Sequence, residues 1–146
     1  MNLSKNTKIS QAITVTAGAA GTTDINGATL DMQDYEGVWM VVTFGAITAN
    51  AVTSIKAQQG AQSDLSDAAD LAGTAQTIAD TDDEKTFYID LYKPAERYVR
   101  LVVDRGTQNA VVASAEYIQY EPRKAPTSHG SNVSGETHVS PAEGTA

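Results

Sequence analysis

The chain is predicted to be all-β, an antiparallel sandwich or barrel of about eight short strands. Three observations carry this. Apolar residues alternate with a period of two in segment after segment; Gly, Pro, Asn and Asp punctuate the chain at short intervals; and no long stretch shows the 3.6-residue apolar period of a helix. At 146 residues it is one domain's worth, long enough to bury a real core.

Residues 1–9 are polar and slightly basic, with Lys5 and Lys8, and read as an N-terminal arm. Residues 11–16 (QAITVT) alternate and are β-branched, which fits a half-buried strand. A small-residue stretch, 17–21, follows. Asn26-Gly27 is a strong turn signal, because both residues tolerate positive φ. Residues 28–32 form the next short strand. Residues 38–44 (VWMVVTF) are apolar on both faces and predict a central strand with Trp39 as its core anchor.

Residues 54–59 alternate weakly, and Gly60 ends them. In residues 61–73 a short helix, with Leu65, Ala68, Ala69 and Leu71 as its stripe and Ser63 as cap, competes evenly with an irregular loop. Residues 74–79 alternate again, and residues 80–83 turn. The stretch 86–120 then supplies three strands in succession. In the first, Phe87, Ile89 and Leu91 alternate with Tyr88, Asp90 and Tyr92, and Lys93-Pro94 stops it, since proline cannot donate to a ladder. Residues 98–103 and 110–120 are the other two. From Pro122 the chain is rich in Pro, Ser, Gly and Thr and cannot fold alone. Something must hold such a tail, and neighbouring chains are the expected holders. The organisation is therefore arm 1–9, sandwich 10–121 and extended tail 122–146.

The formal net charge is −8, which argues against a nucleic-acid partner, because phosphate contacts need a basic face. No apolar run is long enough to span a bilayer, and the N-terminus lacks the apolar segment of a signal peptide, so no membrane partner is expected and the chain reads as soluble. The absence of cysteine removes disulfides and thiolate chemistry.

No catalytic constellation stands out. His129 and His138 lie in the polar tail without partners at metal-binding spacing, and read as solvated. Asp80, Asp82 and Asp83 lack the spacing of a calcium loop, and Asp64, Asp67 and Asp70 would share one face of a short helix; both groups read as solvated acid. No serine has a nucleophile-elbow setting, and the glycines do not make a phosphate loop. No cofactor, metal or enzymatic activity is expected. Arg97, Arg100 and Arg105, with Tyr92 and Tyr98, form either a recognition patch or the residues of one solvent face and its turns.

Five segments carry a resemblance. They are DYEG (34–37) before an apolar strand, IKAQQG (55–60), SDAADLAG (66–73), KPAERYVR (93–100) and IQYEPRKAP (118–126). In that order, over about residues 24–126, they resemble a family of small structural proteins of tailed bacteriophages and prophages. The resemblance implies a capsid cement or decoration protein with a jelly-roll-like sandwich. Such a protein binds the outer surface of the virion head after synthesis in the host cytoplasm, and its partners are the major capsid protein and further copies of itself, as dimer or trimer. The contact residues expected on this basis are Lys5, Lys8, Tyr92, Lys93, Arg97, Tyr98, Arg100, Arg105, Arg123 and Lys124. Two other readings stay open: another virion part from tail, neck or fibre, and a carbohydrate-binding sandwich using Tyr88 and Tyr92 with Trp39 in reserve.

Overall fold

Alternation dictates two layers, because a strand with one apolar face must bury that face against another sheet. The computed structural model describes residues 1–145 and contains one helical turn, α1 (Leu3–Asn6), and ten strands. These are β1 (Lys8–Ile13), β2 (Ile25–Asn26), β3 (Leu30–Asp31), β4 (Tyr35–Ile47), β5 (Val52–Gly60), β6 (Ala69–Asp70), β7 (Gln76–Ile78), β8 (Thr86–Tyr92), β9 (Tyr98–Gly106) and β10 (Ala110–Pro122). The front sheet has the order β1-β10-β4-β8. The back sheet is built on the antiparallel pair β5 and β9, with β2 and β3 on the far side of β9 and β6 and β7 on the far side of β5. The protein is an all-β antiparallel sandwich, as its sequence predicts. Its chain passes repeatedly from one sheet to the other, from β1 to β2, β3 to β4, β4 to β5, β7 to β8, β8 to β9 and β9 to β10.

The core lies between the sheets. Val38, Met40, Val42 and Phe44 of β4 and Val112, Ala115 and Tyr117 of β10 meet Ile55 and Ala57 of β5 and Val99, Leu101 and Val103 of β9. This choice of face puts Trp39 on the outside, 42% exposed, which corrects its expected place in the core. The reason is the pleat: with Val38 and Met40 inward, the residue between them must point out.

Tyr117 ties the layers together. Its hydroxyl accepts the Leu101 N–H at 2.8 Å and donates to the Ala28 carbonyl at 2.9 Å. Leu101 needs this because the edge formed by β2 and β3 is interrupted beside it: Asn26 pairs with Val102, while Leu30 pairs with Val99. Three residues on the edge, 27–29, therefore face two on β9, Arg100 and Leu101, a bulge. Gly27 sits in that bulge, not in a hairpin turn as Asn26-Gly27 suggests. A Cβ there would stand 2.7 Å from both the Leu101 carbonyl and the Tyr117 hydroxyl.

Other expectations change. The first strand begins at Lys8, and α1 precedes it, so part of the expected arm is ordered structure. Residues 61–68 form no helix. Leu65 is buried with φ 53°, and Asp67 accepts the N–H groups of Ala61 and Gln62 at 2.8 and 3.2 Å. Asp80 accepts from Asn50, Asp82 from Ala79 and Asp83 from Ile47. Much of the acidic stretch thus caps loop amides instead of merely being solvated, a role short carboxylates fill well. Asp82 also pairs with Lys85, and this contact holds its carboxyl below the ordinary range.

Candidate docking surface

The outer faces of the two sheets differ in kind. On the back sheet, Lys56 pairs with Asp70 at 3.1 Å and with Asp104 at 3.3 Å, and Gln58 donates to Asp70 at 2.6 Å. Arg100 Nε donates to Gln58 at 2.8 Å. The bonds from Gln58 and then Lys56 hold Asp70 low, while Asp70 raises Lys56. Each charge there already has a partner, so this face offers little unspent polarity.

The front sheet is different. Register places its outward residues in rows across β8, β4 and β10: Tyr92, Gly37 and Tyr120; Asp90, Trp39 and Ile118; Tyr88, Val41 and Glu116; Thr86, Thr43 and Ser114. Trp39 and Tyr88 meet edge to face, with centroids 5.5 Å apart at 72°. Tyr92 and Tyr120 lie parallel, 6.3 Å apart, across Gly37. A Cβ on Gly37 would stand 2.2 Å from the Tyr120 ring, so glycine is what lets that ring lie flat. The Tyr120 hydroxyl donates to Asp90 at 2.6 Å; partial burial and then this carboxylate push its pKa up. Burial likewise raises Glu116, the acid in the third row. Trp39, Tyr88 and Tyr92 remain exposed large side chains. Aromatic groups on one flat sheet face are the residue types that anchor interfaces.

A basic corner borders this face. Pro94 ends β8, and Lys93 takes φ 51° there, its ammonium 5.2 Å from the centre of the Tyr92 ring. A cleft of about 460 Å³ follows, lined by Tyr35, Glu36, Lys93, Pro94, Arg97 and Arg123 among others. Arg97 grips Asp31 through two hydrogen bonds of 2.9 and 2.6 Å, and lies over Tyr98 at 5.1 Å. That bidentate bond, more than any other contact, holds the Asp31 carboxyl low and raises Arg97. Lys8 adds to the lowering of Asp31. Arg123 approaches Glu36 at 3.9 Å.

The expected contact residues therefore divide. Tyr92, Lys93, Arg97, Tyr98 and Arg123 gather around the cleft, with Lys8 near Asp31. Lys124 is exposed at the start of the tail. Lys5 is exposed beside the tail, and its carbonyl accepts the Thr127 N–H at 3.0 Å. Arg100 belongs to the back sheet. Arg105 is buried, only 7% exposed, and is no surface contact. Its guanidinium donates to the carbonyls of Thr23, Ala19 and Ala110 at 2.7, 2.7 and 2.8 Å, and desolvation lowers its pKa.

The tail, expected to be held by neighbouring chains, is bonded to its own chain. Thr127 donates to Lys5 and Thr7, Gly130 N–H to the Ile9 carbonyl at 2.8 Å, and Asn132 to Gln11 at 3.4 Å. His129 is not simply solvated: its Nδ1 accepts the Ile9 N–H at 3.1 Å. With Val133 and the outward Ile9 side chain it lines a second cleft, of about 350 Å³. The tail thus caps the β1 edge of the front sheet and leaves the aromatic rows open. No protein-family model matches this chain, and no curated protein or solved structure matches it either.

Proposed function

We propose that this chain is a non-enzymatic cement or decoration protein of a tailed-bacteriophage head. It binds the outer surface of the assembled shell and staples neighbouring major capsid subunits. The observation that carries the reading is the contrast between the two outer faces: one is closed by its own ion pairs, and the other presents Trp39, Tyr88 and Tyr92 beside the Lys93 corner. The ordered segments that resemble those of small phage structural proteins suggest the class of partner. A jelly-roll-like wiring is part of the proposal, supported by the repeated passage of the chain between the sheets. Several weak contacts per copy on a repeating lattice gain effective concentration from one another, which is how a small protein resists dissociation from a shell.

The test is co-sedimentation of the purified chain with expanded, undecorated heads. Wild type pellets with the heads, and the Trp39→Ser/Tyr88→Ser variant loses at least about tenfold in affinity, as expected when two aromatic anchors go. Wild type left in the supernatant overturns the reading. Copy number in an intact particle separates a head protein from a tail or neck ring.

The exposure of Trp39 favours one second reading, a carbohydrate-binding sandwich, since stacking on sugars needs an accessible ring. A glycan array on which wild type binds and Trp39→Ser does not would select it.

A further inference from the structure

Two sheets have four edges, and three of these are blocked. The tail covers β1 through Thr127, His129 and Gly130. The edge of β2 and β3 is broken at the Gly27 bulge, and β6 and β7 are pieces of two and three residues. Among the described residues β8 is the exception. It is seven residues long, regular, and paired only with β4.

The direction of its free hydrogen-bonding groups follows from its paired ones. Phe44 N–H bonds the Lys85 carbonyl and Lys93 N–H bonds the Glu36 carbonyl, so odd-numbered residues turn their backbone toward β4. Thr86, Tyr88, Asp90 and Tyr92 therefore turn theirs outward. Gln76 Nε2 agrees, donating to the Tyr88 carbonyl from outside at 2.8 Å. On the inner side of the same edge Phe87 and Leu91 pack against the core but are only half-buried. Apart from the Tyr88 carbonyl, which Gln76 reaches, the outward backbone groups of β8 lie open, and a long edge of this kind with half-covered apolar residues is a template for one more strand.

The geometry points to β8 as a self-pairing edge, whose occupant is β8 of a second copy running antiparallel about a two-fold axis at Ile89. In this register Tyr88 faces Asp90 of the second copy, Thr86 faces its Tyr92, and Phe87 faces its Leu91. All four outward-turned residues find hydrogen-bonding partners, the Tyr88 carbonyl taking the Asp90 N–H of the second copy beside or in place of Gln76 Nε2, and apolar meets apolar on the inner side. The neighbouring registers are worse. Centring on Asp90 sets carboxylate against carboxylate and puts Thr86 opposite Pro94, which has no N–H. Centring on Tyr88 brings Glu84 opposite Tyr92 and leaves the end of the strand unmatched. The strand suits a copy of itself because its only formal charge, Asp90, is already engaged by Tyr120. The product is one eight-stranded front sheet that carries the aromatic rows twice.

Sedimentation equilibrium of the full chain tests this over roughly 10 µM to 1 mM, where a small interface becomes populated. The mass is expected to rise to twice the 15.4 kDa of the chain. Tyr88→Pro removes an outward N–H without touching the β4 ladder, and weakens the dimer roughly thirtyfold through two lost bonds per two-fold pair. Tyr88→Val keeps the N–H and dimerises. Because the chain has no cysteine, register is read independently of any folding defect. A Tyr88→Cys chain mixed with an Asp90→Cys chain yields a disulfide heterodimer under mild oxidation, faster than either alone yields a homodimer.

A monomer at every concentration, a Tyr88→Pro dimer as tight as wild type, or faster crosslinking of Asp90→Cys alone each overturns the inference. So does loss of the dimer on removing residues 138–146, which would assign the edge to a tail. The inference stands apart from head binding: a monomer that pellets with heads defeats only this one, and a dimer that does not pellet defeats only the other.

Discussion

Removing one oxygen atom from the core tests how the sheets are joined. Tyr117→Phe keeps the ring and its packing, but deletes the hydroxyl that accepts the Leu101 N–H and donates to the Ala28 carbonyl. Neither group has a ladder partner to fall back on, because the Gly27 bulge interrupts the edge strand at that point. Tyr117 is 1% exposed, so water does not readily replace the hydroxyl. Leaving a buried donor or acceptor unpaired costs about 1–3 kcal/mol. With Leu101 buried and Ala28 nearer the surface, the expected loss is about 2–4 kcal/mol. For a chain of this length that lowers Tm by roughly 5–15 °C.

Urea unfolding followed by tryptophan fluorescence and circular dichroism measures it. The midpoint falls while the slope stays constant, since the surface exposed on unfolding is unchanged. An unfolding free energy within about 0.5 kcal/mol of wild type refutes the argument. Desolvation pushes the pKa of the same buried hydroxyl up.

Two further outcomes follow from the charged groups. Arg105→Met leaves the carbonyls of Ala19, Thr23 and Ala110 without their donor, and costs about 2 kcal/mol; hydrogen exchange should rise first in residues 17–24, and uniform protection there would contradict it. Asp31 has a folded pKa below its ordinary 3.8, so its contribution is present above that value and is lost as pH falls through the lower folded one. Asp31→Asn should flatten that acid limb by less than about 1 kcal/mol, because the pair is nearly half exposed; unfolding midpoints between roughly pH 2 and 6 would reveal an unchanged limb if the pair contributes nothing.

The strands were legible because alternation is local, and two placements were legible in principle from the same signal. In β4 the positions that alternate with Val38, Met40, Val42 and Phe44 include Gly37 and Thr43, which marks that set as the outer one and carries Trp39 with it. In β9 the run Val99, Leu101, Val103 continues to residue 105, so its parity turns Arg105 inward despite its charge. Asp64, which accepts the Ser66 N–H, follows a local pattern that sequence can show. The caps made by Asp80 on Asn50 and Asp83 on Ile47 join distant segments and leave no such trace. Neither does the tail, whose backbone-directed bonds run to residues 5–9 and whose Asn132 reaches the Gln11 side chain.

Asn26-Gly27 misleads for a physical reason. Glycine serves two ends, positive φ and close approach, and only the fold shows that Tyr117 requires the second here. The same ambiguity lies behind Trp39. A run apolar on both faces means a strand covered on both faces, and the sequence does not say what covers the second. The sandwich itself covers one side of β4; the tail, strapped along β1, stops short of the other. Hydrophobic burial follows the same physics within a chain and between chains, so a residue that looks like core but lies outside, as Trp39 does, is where the proposed docking is tested first.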